Sequence, residues 1–282
     1  MAESYQSAQI VKTETGKQYH IGCAPGDVAE RILLVGDPAR AEKVASRFES
    51  VTCRRAHREY VTITGVYKGA PLTVTATGIG TDNTEIAFVE LSQCVENATL
   101  LRVGSSGALR PGIELGDLVI STGAVRMEAT STYFVPEGYP AVPHHEVILA
   151  LLEAAREVDD RQVHAGLTAT ACGFYGAQGR QVPGFPPRYP DLPAQLGKLG
   201  VCNMEMEASL LFTLGQVRGL RTGAVCAIYA NRGADTFVNT DLKDAAESAA
   251  IECGLRAMEV LRRMDAVRGE GQHWLPGLGL GE

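Results

Sequence analysis

Arg31-Ile32-Leu33-Leu34-Val35-Gly36-Asp37-Pro38-Ala39-Arg40 decides how the chain folds. Its apolar run shows no polar alternation, as in a strand buried on both faces, and Gly-Asp-Pro then leads into a helix-like 39–48. The same strand-to-helix rhythm continues outward. Residues 60–67 and 72–77 alternate around Lys68-Gly69 and predict a hairpin. Helical spacing over 84–94 is followed by strand-like 100–104 and 118–121, an amphipathic helix at 146–158 and a strand at 166–171. A helix over 206–214, a strand over 223–230 and a long helix over 241–263 complete the pattern. Such alternation predicts an α/β fold in which a mixed, mostly parallel twisted sheet is flanked by helices. With no repeat and no linker, 19–268 is expected to form a single domain. Residues 1–18 read as a flexible leader and the glycine-rich 269–282 as a flexible tail. Residues 179–198, with five prolines, are the one long irregular segment and read as a flap or lid.

Composition narrows the function classes. Of 282 residues, 45% are hydrophobic and 21% charged, which is ordinary for a soluble globular protein. A net charge of −7 disfavours nucleic acid and anionic membranes, so an anionic ligand needs a local arginine cluster. The seven cysteines are scattered without a C-x-x-C pair, which points to reduced thiols in a cytoplasm and away from disulfides or zinc. No apolar run approaches the ~20 residues that span a bilayer, and the polar N-terminus lacks the apolar core of a signal peptide.

In α/β sheets ligands gather where strands end. Gly36-Asp37-Pro38-Ala39-Arg40 follows the first strand and opens a helix, whose free amides favour an anion. A second strand end, Arg102-Val103-Gly104-Ser105-Ser106-Gly107-Ala108, offers an arginine, hydroxyls and glycines suited to a tetrahedral oxyanion. A third arginine is Arg58, within His57-Arg58-Glu59. Neither glycine segment is a Walker loop or a G-x-G-x-x-G, and each alone reads first as a structural turn; two such strand ends in an acidic protein favour an anion site. Gly173-Phe174-Tyr175-Gly176-Ala177-Gln178-Gly179-Arg180 follows another strand. A planar heterocycle needs a ring to stack on and an edge reader; the Gln178 amide has both a donor and an acceptor, and Arg180 supplies a cation. The plainer reading makes Phe174 and Tyr175 core and Gln178 and Arg180 solvent-facing loop residues. Asn203-Met204-Glu205-Met206-Glu207-Ala208 is likewise double-edged: a helix start, or a carboxylate for vicinal hydroxyls beside an apolar methionine. If extended, Glu205 and Glu207 share a face.

Taken together these segments, with Tyr19-His20-Ile21-Gly22, Thr77-Gly78-Ile79-Gly80, Gly116-Asp117 and Asn231-Arg232, resemble the uridine branch of the nucleoside phosphorylase-I family. The likeness runs from about residue 20 to the final helix. It implies a distorted, barrel-like sheet and a homo-oligomer, a hexamer built as a trimer of dimers. It implies Gly36, Arg40, Arg102 and Ser105 as phosphate ligands, joined by Arg58 from a neighbouring subunit. Phe174, Gln178, Arg180 and Arg232 would face uracil. Met206 and Glu207 would hold ribose, and His20 of the neighbour would reach the 5′-hydroxyl. Arg180, Gln178, Glu207 and Arg102 would carry the chemistry. The resemblance also implies a monovalent cation, potassium, at Glu59, Ile79 and Asn83, the asparagine standing where a serine is common. No other cofactor is implied, since phosphate is itself a substrate. Ser105 replaces the usual threonine and keeps its hydroxyl, while Glu205 has no role derivable from sequence.

The implied reaction is reversible phosphorolysis of uridine to uracil and ribose 1-phosphate, in pyrimidine salvage, in the cytoplasm, with no nucleic-acid or membrane partner. Four alternatives stand beside it: a purine nucleoside phosphorylase of the same fold, a hydrolytic nucleosidase, a glycoside hydrolase using Glu205 and Glu207, and a non-catalytic nucleoside-binding protein.

Overall fold

A computed structural model describes residues 7–271 and 273–279. The chain divides into two compact units, Met1–Thr99 and Leu100–Glu282. Expectations for residues 1–6, 272 and 280–282 lie outside the described residues.

In the first unit β1 (Arg31–Val35) leads into α1 (Pro38–Ala45). Asp37 caps that helix by accepting from the Ala39 amide at 2.8 Å, and Pro38 sits at its start, where no backbone donor is needed. β2 (Ser50–His57), β3 (Tyr60–Tyr67) and β4 (Ala70–Ala76) form a meander, followed by α2 (Thr81–Ser92). The sheet order is β1-β4-β3-β2, with β1 parallel to β4 and the other pairs antiparallel. Lys68 and Gly69 both take positive φ, 46° and 71°, as a two-residue hairpin turn requires. β2 has no signature in the sequence because it is a mostly exposed edge strand of polar residues. Buried Ile32, Leu33, Val44, Ile63, Val74 and Leu91 form the core. Within the expected leader, Lys12 bridges Gln18 and the Gln18 side chain is 2% exposed, so this segment is tied down at its end.

The second unit holds β5 (Thr99–Ala108) from its second residue on, β6 (Leu118–Met127), α3 (His145–Ala155), β7 (Val163–Ala171) and α4 (Leu192–Lys198). It continues with β8 (Asn203–Glu205), α5 (Ala208–Arg218), β9 (Arg221–Asn231), β10 (Thr236–Phe237) and α6 (Thr240–Arg268). The strand order β10-β9-β6-β7-β8-β5, with β9 also paired to β5, closes five strands into a barrel-like ring. β6–β7 and β7–β8 are parallel, while β5–β8, β6–β9 and β9–β10 are antiparallel. β6 runs past the expected end at 121 because a bulge between Ser121 and Gly123 interrupts its alternation without ending the ladder. The irregular 179–198 contains α4, entered through Pro193 at its first turn. Within the expected tail, the Trp274 amide donates to buried Glu146 Oε1 at 2.9 Å, beside Arg221 and Arg268 on the same carboxylate. All seven cysteines are free. Among the described residues no helix is long and apolar enough to cross a membrane.

Candidate active site

The 203–208 run is neither all strand nor all helix. Asn203–Glu205 pairs with β5 and β7, and α5 begins at Ala208, so Glu205 ends the strand and Glu207 occupies the helix cap position. Both carboxylates reach one guanidinium. Arg102 Nε donates to Glu205 Oε2 at 2.9 Å, and Arg102 Nη2 lies 2.5 Å from Glu207 Oε2. The Arg102 and Glu205 side chains are 7% and 0% exposed, so this is a charge cluster inside the protein. Strand position alone does not seat it. A Cβ at Gly104 would stand 2.7 Å from Arg102 Nη2 and 3.0 Å from Cys226 Sγ, so only glycine leaves room for the guanidinium across β5.

Glu205, without a role at the level of sequence, is the hub. Besides Arg102 it accepts from Thr170 Oγ1 at 2.6 Å, from the Glu207 amide at 2.8 Å and from the Ala208 amide at 3.0 Å. Thr170 is oriented in turn by the Ser209 amide, which donates to its hydroxyl oxygen. Every partner is a donor, so the geometry satisfies the ionised carboxylate. Burial nevertheless pushes the Glu205 carboxyl up, to about 7, with Arg102 pulling it down and Glu207 adding repulsion. The same two carboxylates raise the Arg102 pKa against the cost of burial. Face-sharing of residues two apart was the one sequence signal that could have joined Glu205 to Arg102.

Arg102 Nη1 has no partner among the described residues, whereas Nε and Nη2 are fixed. The fork is therefore held on two sides by the paired carboxylates. Ser105 is half-buried three residues further along β5, and Met206 is half-buried between the two glutamates.

The segment after β7 builds a second cluster. Gly176–Gln178 is a single 3-10 turn closed by Gly179 at φ 65°. A Cβ on Gly179 would meet the Pro190 carbonyl at 2.9 Å and Pro193 Cδ at 2.9 Å, so glycine lets the α4 entry close over this turn. Arg180 Nε donates to the Phe174 carbonyl at 3.0 Å, and its guanidinium carbon stands 3.9 Å from the Phe174 ring centroid. Arg232, just beyond β9, donates from its amide to the Ala108 carbonyl and from Nη2 to the Gln178 carbonyl at 3.2 Å. Its stem lies on Gly107, where a Cβ would meet Arg232 Cγ at 3.3 Å. Burial, and repulsion from Arg232, lower the Arg180 pKa; burial lowers that of Arg232. Arg232 Nε is buried without a hydrogen-bond partner among the described residues. Gln178 is 5% exposed, and its side-chain amide has no hydrogen bond among the described residues. Arg180 and Arg232 thus flank Gln178, and the whole group is attached to β5 through Gly107 and Ala108.

The first unit places its own candidates. Gly36 precedes the capped start of α1, and Arg40 one turn in is 7% exposed. Arg58 is exposed at the β2–β3 turn, at φ 54°, with its guanidinium carbon 5.5 Å from the Tyr19 ring centroid. Glu59 and Asn83 come together around Gly78: a Cβ there would meet Asn83 Nδ2 at 2.6 Å and Glu59 Cγ at 3.4 Å. Ile79 beside them is 71% exposed. A carboxylate, an amide oxygen and main-chain carbonyls are hard oxygen donors, the type an alkali cation takes. His20 is anchored by Glu90 of α2 at 2.7 Å.

Residues 30–262 match the family model described as the phosphorylase superfamily, and the chain belongs to that family. A uridine phosphorylase of Thermococcus kodakarensis is 45% identical over 284 residues, with 99% of each chain covered. The Escherichia coli uridine phosphorylase is 34% identical, covering 87% of this chain and 97% of its own. A guanosine phosphorylase of Halorubrum lacusprofundi is 32% identical over 86% of this chain and 96% of its own. Among solved structures, a Trypanosoma brucei nucleoside phosphorylase described as showing uridine phosphorylase activity superposes with a TM-score of 0.81. It is 26% identical and covers 89% of this chain and 99% of its own.

Proposed function

We propose that this chain is a pentosyltransferase that catalyses the reversible phosphorolysis of uridine to uracil and ribose 1-phosphate. The observation that carries the choice of base is the Gln178 side-chain amide, which has no hydrogen bond among the described residues, with Arg180 and Arg232 beside it. An amide offers one donor and one acceptor, which pairs with the N–H and carbonyl on the edge of a uracil ring. Arg180 stacks on the Phe174 ring, and the pair would form the platform for the base.

In the forward reaction the C1′–N1 bond breaks and its electron pair leaves with uracil, while a phosphate oxygen bonds to C1′. Positive charge grows on the sugar and negative charge on the base. Arg180 and Gln178 stabilise the departing base, chiefly in the transition state. Arg102 and Ser105 bind phosphate, and Gly36, Arg40 and the Arg58 of a neighbouring subunit keep the same assignment. A carboxylate has about four acceptor sites, so Glu207 can keep Arg102 and still accept ribose hydroxyls. With Met206 it orients the anomeric carbon. His20 of a neighbouring subunit reaches the 5′-hydroxyl, so the working form is a homo-oligomer, and the resemblance points to a hexamer. Glu59, Asn83 and the Ile79 carbonyl would hold a monovalent cation between subunits, where it neutralises carboxylate charge.

Family relatives act on both pyrimidine and purine nucleosides by name, so the base is the point to test. Phosphorolysis of uridine and inosine is compared at equal enzyme and phosphate concentrations. Faster turnover of uridine is expected; faster turnover of inosine would assign the enzyme to purines.

A further inference from the structure

Glu90 is a carboxylate in the last turn of α2, and its side chain is only 10% exposed. It takes three donors from one short stretch of chain. The His20 amide donates at 3.0 Å, the Ile21 amide at 2.8 Å, and His20 Nδ1 lies 2.7 Å from Glu90 Oε1. The stretch is pinned from its other side as well, because His57 Nδ1 lies 2.8 Å from the His20 carbonyl and so donates to it. Tyr19 packs edge-on against the His20 ring at 4.9 Å. The His20 side chain remains 32% exposed, and its Nε2 has no partner among the described residues.

An ionised carboxylate only accepts hydrogen bonds, so the contact requires the hydrogen to be on Nδ1. Nε2 is then the outward atom, in one ring orientation and, in the neutral ring, as an acceptor. A carboxylate that grips both the backbone and the ring of a single histidine removes its rotamer and tautomer freedom before any ligand arrives.

We propose that Glu90 is a positioning residue for recognition of the ribose 5′-hydroxyl, holding His20 so that Nε2 is presented to a nucleoside bound by a neighbouring subunit. The proposal rests on the reading of His20 as the 5′-hydroxyl contact. It adds a residue that itself touches no substrate. The apolar setting of Glu90, within Ala87-Phe88-Val89-Glu90-Leu91, is the sequence feature that a solvated helix face does not share.

The test is the ratio of kcat/KM for uridine to kcat/KM for 5′-deoxyuridine, with phosphate saturating, in the assembled enzyme. A ratio taken within one preparation is unaffected by the fraction of correctly folded protein. Wild type is expected to favour uridine by about tenfold, the usual worth of one substrate hydrogen bond. His20→Ala should bring the ratio close to one. Glu90→Gln should lower it several-fold, and the double variant should match His20→Ala alone, because Glu90 acts only through His20. Glu90→Asp, which keeps the charge but shortens the arm, provides the same comparison if the glutamine variant does not assemble. A wild-type ratio in both Glu90 variants, with the ratio lost in His20→Ala, overturns the positioning role. A wild-type ratio in His20→Ala overturns the His20 contact itself, a separate failure.

Discussion

Replacing Arg102 with methionine is expected to abolish phosphorolysis and to destabilise the second unit by about 3–5 kcal/mol, the usual result of stranding a buried charge. Two effects combine. The variant loses the one guanidinium that Glu205 and Glu207 jointly hold, and both carboxylates lose their counter-charge while remaining buried. Denaturant unfolding and a phosphorolysis assay separate the two. Adding Glu205→Gln and Glu207→Gln should restore much of the stability and none of the activity. The pH dependence has a definite sign. Burial already holds the Glu205 carboxyl above its ordinary 4.5, at about 7. A carboxyl raised in the folded state contributes stability that is full below the ordinary value and is lost as pH rises through the raised one. Without Arg102 that carboxyl rises further, so the deficit of the variant should be smallest in acid and grow as pH increases. A stability loss independent of pH would contradict the buried-pair account.

Arg180→Ala is expected to lower kcat for uridine by about 10²–10³-fold, the range for removing one preorganised transition-state donor, while leaving phosphate binding nearly unchanged. The reason is where its contacts lie. Arg180 is held by the Phe174 carbonyl and ring, and among the described residues it makes no hydrogen bond or ion pair with Arg102. Its positive charge is desolvated and repelled by Arg232, and a departing uracil anion would relieve both. Binding energy of that kind appears as the base leaves, so it falls on kcat rather than on KM. Steady-state kinetics with phosphate and uridine varied separately read the two parameters. Equal turnover in the variant, or a loss confined to phosphate KM, would remove Arg180 from the base side.

How much of this was legible in the sequence depends on how far apart the partners lie along it. Gln178 and Arg180 occupy one turn, so their spacing was visible, as were the strand over 31–35 and the Lys68-Gly69 turn. Glu205 was not legible, because its function depends on Arg102 and Thr170, which join it only through the β5–β8 and β7–β8 pairings. Gly104 was hidden for the same reason: it needs the side chain of Arg102 to fold back across its own strand. β2 left no trace because an exposed polar edge has no apolar period. Glu90 was present as a charge in an apolar helix, but its meaning required the 18–21 segment to return to α2.

The central claim is that phosphate is the nucleophile and uracil the leaving group, with Arg102 and Arg180 at the two ends. Its most direct measurement is uracil release from uridine by the purified protein, with and without inorganic phosphate, alongside detection of ribose 1-phosphate. Release that requires phosphate and yields ribose 1-phosphate in equal amount is the expected result. Release of uracil without phosphate, or none in its presence, would contradict the claim.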